Sequence, residues 1–316
     1  MRVQGRRPQP LRPNPCARVR AAHRIAAVCV LVLPFAGCAG SVLDPQGPIG
    51  AQEKIILLDS LAVMLAIVIP TILATLVFAW WYRAGNARAK RLPGFVYSGR
   101  IELVVWAIPT LTIAFLGGLI WIGSHDLDPA RPLPATAAAP VEEVQVVSLD
   151  WKWLFIYPRE GVASVNRLVA PVGRPLHLSL TSASVMNSFF VPQLGSQIYA
   201  MNGMVTQLNL RADRVGSYYG QSAQFSGDGF SDMHFQVDAM PQGDFDAFVA
   251  GARRSGEGLD RSAYTALSRQ FAAPRPFTYR SVDASLFQAI AAGQARPGPG
   301  PAVGRGGVGV SSRTGM

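Results

Sequence analysis

Trp151-Lys152-Trp153-Leu154-Phe155-Ile156-Tyr157 is the stretch that decides the fold. In an extended chain successive side chains point to opposite faces, so Trp151, Trp153, Phe155 and Tyr157 line one face and Lys152, Leu154 and Ile156 the other. Aromatic and β-branched residues with a period of two mark a strand. Taken by itself the stripe reads as core packing and not as a platform for a cofactor. It is also more aromatic than one small sandwich needs, which points to a contact with another protein.

Short runs of the same kind surround it: Glu143–Leu149, Leu176–Thr181, Ser188–Pro192, Thr206–Leu210 and Met233–Val237, each bounded by Gly, Pro or Asn. Several short strands with turn residues between them predict a sandwich or barrel over residues 141–243. From Asp244 the pattern turns helical, with Phe245, Phe248 and Val249 on one stripe and Tyr264, Leu267 and Phe271 on another. Phe271, Phe277 and Tyr279 make residues 244–292 an aromatic-rich helical extension. Residues 293–316 are rich in Gly, Pro and Ser without apolar periodicity, the composition of a disordered tail. No internal repeat is present.

Upstream, a Pro/Ala linker at 129–140 follows two uncharged segments, Leu61–Tyr82 and Leu103–Gly123, each long enough to cross a bilayer. Their helices are expected at about 57–82 and 101–123. The segment between them carries Arg83, Arg88, Lys90, Arg91 and Arg100 and no acid, whereas both outer flanks are acidic, so the connecting loop belongs in the cytoplasm and both ends in the periplasm. Pro70 and Pro109 lie inside the spans, as kinks or as points of packing against another protein. Asp59 and Glu102 fall at helix ends, where they read as interfacial residues.

The first residues read as an address. Arg18, Arg20 and Arg24 precede an uncharged run from Ile25 to Phe35, then Ala36, Gly37 and Cys38. That is the layout of a secretory signal over residues 1–37. A cysteine directly after Ala-Gly resembles the bacterial lipoprotein box, in which that cysteine is lipidated and becomes the mature N-terminus, although Phe35 departs from the usual Leu. Ordinary cleavage nearby, leaving Cys38 a free thiol, is the alternative. Cys38 then begins a lipid-anchored hairpin segment, 38–128, on the bacterial inner membrane.

Composition agrees. The 316 residues are 49% hydrophobic and only 15% charged, with a mean hydropathy of +0.23. Seven of the 29 basic residues lie in residues 1–37, which hold no acid, so 22 basic face 19 acidic residues in the remainder, a balance of +3. The basicity is terminal, and no nucleic-acid partner is implied. Cys16, Cys29 and Cys38 are the only cysteines. A disulfide scaffold, a thiolate metal site and a cysteine nucleophile are therefore excluded from the body of the chain.

Taken with the signal and the hairpin, Asp150-Trp151-Lys152-Trp153, Val185-Met186-Asn187-Ser188-Phe189-Phe190-Val191-Pro192 and Gly195-Ser196-Gln197-Ile198-Tyr199-Ala200-Met201 resemble subunit II of the haem–copper respiratory oxidases. The resemblance covers most of residues 38–290. It implies a membrane-anchored all-β protein: a two-helix transmembrane hairpin plus a cupredoxin-like β-sandwich with a C-terminal helical extension, docked on catalytic subunit I. Cytochrome c oxidase members of that family hold a binuclear copper-A centre in the sandwich. The family pattern supplies a His before Ser-Phe, then two cysteines flanking a glutamate, then a second His and a Met. Here those positions read Asn187, Ser222, Gln224, Ser226, Phe230 and Met233. Soft sulfur and imidazole nitrogen hold copper, and a lone thioether is a weak ligand, so metal binding is expected to be lost. His177 and His234 each point opposite their apolar neighbours and read as surface histidines, while Met233 shares the apolar face with Phe235 and Val237 and serves as core filler.

A lost ligand set inside a retained motif resembles the quinol oxidase branch of the family, the cytochrome o type of ubiquinol oxidase. The resemblance implies a non-catalytic structural subunit of a proton-pumping complex that oxidises ubiquinol. Haem and copper then sit in partner subunit I and no cofactor in this chain. Its partners are subunit I, the smaller membrane subunits and membrane lipid. Two other readings are a copper-containing cytochrome c oxidase subunit II, against which the missing Cys and His argue, and a free-standing membrane lipoprotein, against which the proline-containing hairpin argues.

Overall fold

The computed structural model describes residues 42–90, 92–137, 139–254, 256–270, 275–295 and 298. The signal segment, Cys38, Phe271 and nearly all of the 293–316 tail lie outside the described residues. The first helix, α1, spans Pro48–Trp81, and α2 spans Gly99–Asp126. Both are longer than the expected 57–82 and 101–123. Apolarity marks only the part of a helix that meets lipid; α1 begins earlier because proline is well suited to a first turn and because its early turns rest on the sandwich. At 1.5 Å per residue α1 is roughly 51 Å long, against ~30 Å of hydrocarbon.

Its first turn is stapled to the sandwich by backbone. Gln46 N donates to Gln193 O at 2.7 Å, Asp213 N to Gln46 O at 2.8 Å and Gly50 N to Leu194 O at 3.1 Å. A Cβ on Gly47 would lie 2.2 Å from Arg211 O, so only glycine permits this approach. Glu53 accepts a hydrogen bond from Ser196 Oγ. Both helices continue through their prolines, and the threonine after each, Thr71 or Thr110, donates to the carbonyl four residues back at 2.8 Å.

The sandwich is built from β1 Glu142–Leu149, β2 Lys152–Tyr157, β3 Val162–Val165, β4 Arg167–Pro171, β5 Leu176–Ser182, β6 Asn187–Val191, β7 Gly195–Ala200, β8 Thr206–Leu210, β9 Gly216–Ser222 and β10 His234–Met240, joined by one strand of the extension. Helix α3 (Gln242–Arg254), β11 (Gly258–Leu259), α4 (Arg261–Leu267), β12 (Phe277–Tyr279), β13 (Ser281–Val282) and α5 (Leu286–Ala291) follow. One sheet has the order β12-β3-β2-β1-β5-β8 and the other β4-β10-β9-β6-β7, so the extension supplies an edge strand as well as helices. β1–β5 and β4–β10 are parallel; the remaining sandwich pairs are antiparallel.

The aromatic stripe lies wholly inside. Trp153 meets Phe189 edge-on at 5.3 Å, Phe189 stacks on Phe235 at 4.8 Å, and Phe155 lies 5.4 Å from Phe235. The Tyr157 hydroxyl donates to Val169 O at 3.0 Å and accepts from Val169 N at 2.7 Å, joining β2 of one sheet to β4 of the other. The expectation of a surplus for an external contact is therefore corrected: the two sheets and α3 use every ring of the stripe. The opposite face of β2 is buried too. Leu154 and Ile156 pack with Leu259, Tyr264, Leu267, Leu286, Phe287 and Ile290 of the extension.

One buried carboxylate sits where β1 begins. Glu142 is 1% exposed and pairs with Arg174 at 2.9 Å. Burial pushes its carboxyl up to about 7, Glu160 adds to the rise, and Arg174 opposes it. The folded chain then binds this proton more tightly than the unfolded chain, whose carboxyl titrates near 4.5. Stability contributed by the protonated form is present below about 4.5 and is lost as pH rises through about 7. Thermal unfolding is expected to show a midpoint several degrees lower at pH 8 than at pH 5, a difference that Glu142→Gln reduces.

Candidate functional site

The residues at the copper-A positions converge where β6, β9 and β10 meet. Asn187 opens β6 and Ser222 closes β9. Residues 223–233 form the loop between β9 and β10, with a single helical turn at Phe230–Asp232. The loop closes on itself because Ser222 N donates to Met233 O at 3.1 Å, and Ala223 N donates to Ser188 O at 2.9 Å. Asn187, Ser222, Ser226 and Met233 are all buried there.

Their polar atoms satisfy one another. Ser222 Oγ donates to Asn187 Oδ1 at 3.1 Å and approaches Gln224 O at 3.3 Å. Asn187 Nδ2 donates to Val185 O at 3.3 Å, and Ser226 Oγ lies 3.8 Å from Met233 Sδ. Gln224 reaches the cluster through its backbone carbonyl, while Phe230 turns aside and meets Phe225 edge-on at 5.6 Å. Of the six predicted positions the structure thus brings four side chains together. Neutral hydroxyls, an amide and one thioether, already hydrogen-bonded in a close-packed site, do not fit a binuclear copper centre, whose metals need bridging thiolates and imidazoles. Among the described residues no group of three or more His, Cys, Asp and Glu is placed to hold a metal.

Neither histidine joins the cluster. His177 is half-buried on β5, its Nδ1 3.0 Å from Asn209 Oδ1. His234 is exposed and stacks on Tyr219 at 5.9 Å. Met233 is 2% exposed and packs with Phe235 and Val237, as its place on the apolar face implies.

What the sequence did not disclose is how Asp150-Trp151-Lys152 holds this loop to the extension. Trp151 takes a left-handed conformation, φ 65°, which turns the chain sharply between β1 and β2. Its indole lies directly under Gly229, where a Cβ would come within 2.3 Å of Trp151 Cδ2. Asp150 accepts from Ser184 Oγ and, at 2.9 Å, from Gln270 Nε2. Lys152 is fully buried, and its Nζ donates to Arg269 O at 2.8 Å and Asp150 O at 3.3 Å. Burial lowers its ammonium to about 8, against the opposing pull of Asp150. The charged residue inside an aromatic run was the available signal for these contacts.

Residues 152–240 match the family described as cytochrome c oxidase subunit II, periplasmic domain. The chain is 47% identical over 260 residues to ubiquinol oxidase subunit 2 of Acetobacter aceti, covering 82% of this chain and 84% of that protein. It is 44% identical over 265 residues, with the same two coverages, to cytochrome bo(3) ubiquinol oxidase subunit 2 of Pseudomonas putida. This chain belongs to the ubiquinol oxidase subunit II family. The resemblance seen in the sequence is thereby established, and the chain is a subunit of a haem–copper quinol oxidase. Its two apolar helices and periplasmic-type domain fit a membrane-anchored subunit of a bacterial oxidase.

In this subunit II the site tolerates loss of a hydroxyl but not added bulk. Ser222→Ala leaves the buried Asn187 Oδ1 without its donor, a loss of stability of ~1–3 kcal/mol, and is expected to leave quinol oxidation near normal. Gly229→Ala drives a methyl group into the Trp151 ring and is expected to lower the thermal midpoint by more than Ser222→Ala does. Oxygen-uptake assays and unfolding curves of the two variants check both statements.

Proposed function

We propose that this chain is the metal-free, non-catalytic subunit of a proton-pumping ubiquinol oxidase, one that assembles and braces subunit I and passes no electrons. The observation that carries the reading is the pairing of Ser222 with Asn187 and of Ser226 with Met233 in place of copper ligands. A quinol dissolved in the membrane reaches subunit I directly, so no relay from a soluble electron carrier is needed. Haem and copper then belong to subunit I, and the smaller membrane subunits complete the assembly.

The proposed layout places the loop between α1 and α2 in the cytoplasm and the sandwich in the periplasm, following the basic residues Arg83, Arg88, Lys90, Arg91 and Arg100. Residues 1–37 act as an export signal, and Cys38 becomes the lipid-bearing mature N-terminus. Sandwich and hairpin then act as one brace, because the first turn of α1 is hydrogen-bonded to the chain at Gln193, Leu194 and Asp213.

Elemental analysis of the subunit separated from its purified complex is expected to find no stoichiometric copper, and its spectrum no thiolate-to-copper band. About one or more coppers per chain would sink the proposal. Haem is expected to co-purify with the tagged subunit, and its absence would favour a free-standing lipoprotein. Mass spectrometry of the mature chain is expected to find a lipidated Cys38 at the N-terminus; a free thiol, or residues retained before Cys38, refutes that assignment.

A further inference from the structure

The two helices meet where a Cβ on Gly123 would lie 2.8 Å from Ile56 Cδ1. Beside this seam lies a groove of about 710 Å³ between α1 and α2, within the ~300–1,000 Å³ of small-molecule sites. Its deeper wall is Phe115, Gly118, Leu119 and Ile122, all within the uncharged span Leu103–Gly123. Its mouth holds Gln52, Asp59 and Asp126, just outside the uncharged spans.

This gradient selects an amphiphile with its tail in the bilayer and its head at the surface. The charge of the mouth selects the head. No Lys or Arg lines the groove, and two carboxylates do. Arg131 lies 3.3 Å from Asp126, both side chains being well exposed. Asp59 has no ion pair among the described residues. A carboxylate at the hydrocarbon edge is costly unless a cation meets it. An anionic headgroup is repelled at such a mouth, whereas a primary ammonium donates charge-assisted hydrogen bonds to carboxylates.

We propose that the groove between α1 and α2 binds an aminophospholipid, phosphatidylethanolamine, with its ammonium at Asp59 and Asp126 and an acyl chain along Phe115, Leu119 and Ile122. The inference rests on the reading of α1 and α2 as membrane spans. The lipid fills the side of the hairpin seam that the two helices leave open and neutralises Asp59 at the membrane surface.

The test uses the intact oxidase, extracted with its native lipids and then washed in detergent, with retained phospholipids counted by native mass spectrometry. The wild-type complex is expected to keep phosphatidylethanolamine in preference to phosphatidylglycerol. Asp59→Asn is expected to reduce that retention roughly tenfold or more, as loss of a charge-assisted contact implies. Gly118→Leu tests the groove without touching charge; a Cβ there meets nothing within 4 Å, so the side chain has room to fill the cavity. It too is expected to expel the lipid while the haem spectrum of the complex stays unchanged. Wild-type complex that keeps both phospholipids alike, or none, overturns the proposal, as does retention unaffected by both variants. Loss of bound quinone in place of phospholipid in Asp59→Asn would make the occupant a quinol. Loss of haem subunits in Gly118→Leu would make it a protein helix. Either result also overturns the lipid assignment, while the haem spectrum of the unmodified complex tests the functional reading separately.

Discussion

Strand β2 is buried on both faces, and the rest of the molecule is arranged to make that possible. One face sends Trp153 and Phe155 into the space between the sheets, where Phe189 and Phe235 receive them, and Tyr157 against Phe245 and Phe248 of α3. The other face would expose Leu154 and Ile156 to water unless the C-terminal extension covered it. Burying side chains of this size is worth ~1.5–3 kcal/mol each, and the apolar residues that the extension buries against them contribute alike, which offsets part of the cost of ordering the cover. Lys152 sits at the edge of this second layer, where Arg269 O adds a carbonyl partner at 2.8 Å to that of Asp150. The extension is thus an integral cover for the sheet.

The same economy governs the cluster where β6, β9 and β10 meet. A copper centre of the family's type would draw its binding energy from ligand bonds; a site that lacks them must satisfy its buried polar atoms with one another. Asn187 and Ser222 do so directly, and Gln224 contributes its carbonyl. An unpaired buried hydroxyl or amide costs ~1–3 kcal/mol, so these small pairings preserve the shape of the loop without a metal. Phe230, which stands where the family has an imidazole, joins Phe225 instead. Gly229 keeps the loop flat against Trp151, and the cluster is closed by packing from below and hydrogen bonds from within.

The hairpin and the strand pattern were legible because each rests on residue type and spacing. Thr206–Leu210 is the same strand in sequence and structure, and Leu176–Thr181 gains one residue. Other strands were hidden for local reasons. β9 reads poorly as a strand because Gly220 occupies a core-facing position, the Phe235 ring standing where its Cβ would be, 2.2 Å away. β3 and β4 were missed because a single residue, Asn166 at φ 55°, carries the chain from one sheet to the other, with no cluster of turn residues to announce the break. Asn166 also accepts from Trp153 N at 2.8 Å through its side chain, a contact that no period could reveal. The stripe was rightly read as core, but the surplus inferred for an outside contact was wrong for a related reason. A period of two tells which residues share a face but not how much partner surface that face will meet, and α3 supplied Phe245 and Phe248 beside Tyr157.

The junction between helix and sandwich shows why the spans could not be bounded by hydropathy alone. From Pro48 to Lys54, α1 carries Gln52, Glu53 and Lys54 and a single large apolar residue, Ile49, so hydropathy gives little reason to extend the span this far. An isolated helix gains little from such a segment, since most helical stability in proteins comes from packing. Here the packing is with β7 and its neighbours, through Gly47, Gly50 and the Ser196–Glu53 contact. A Cβ on Gly195 would fall 2.6 Å from Ile49, so the first residue of β7 and the first turn of α1 accommodate each other atom by atom. Because the helix leaves the sandwich already hydrogen-bonded to it, its direction is fixed before it reaches the bilayer, and the periplasmic domain is held by a strut and not by a tether. A linker of the same length would place no constraint on where the sandwich sits. A helix rooted at Gln193 and Leu194 transmits the position of the membrane span directly to the sandwich, which is the property that the proposed bracing role requires.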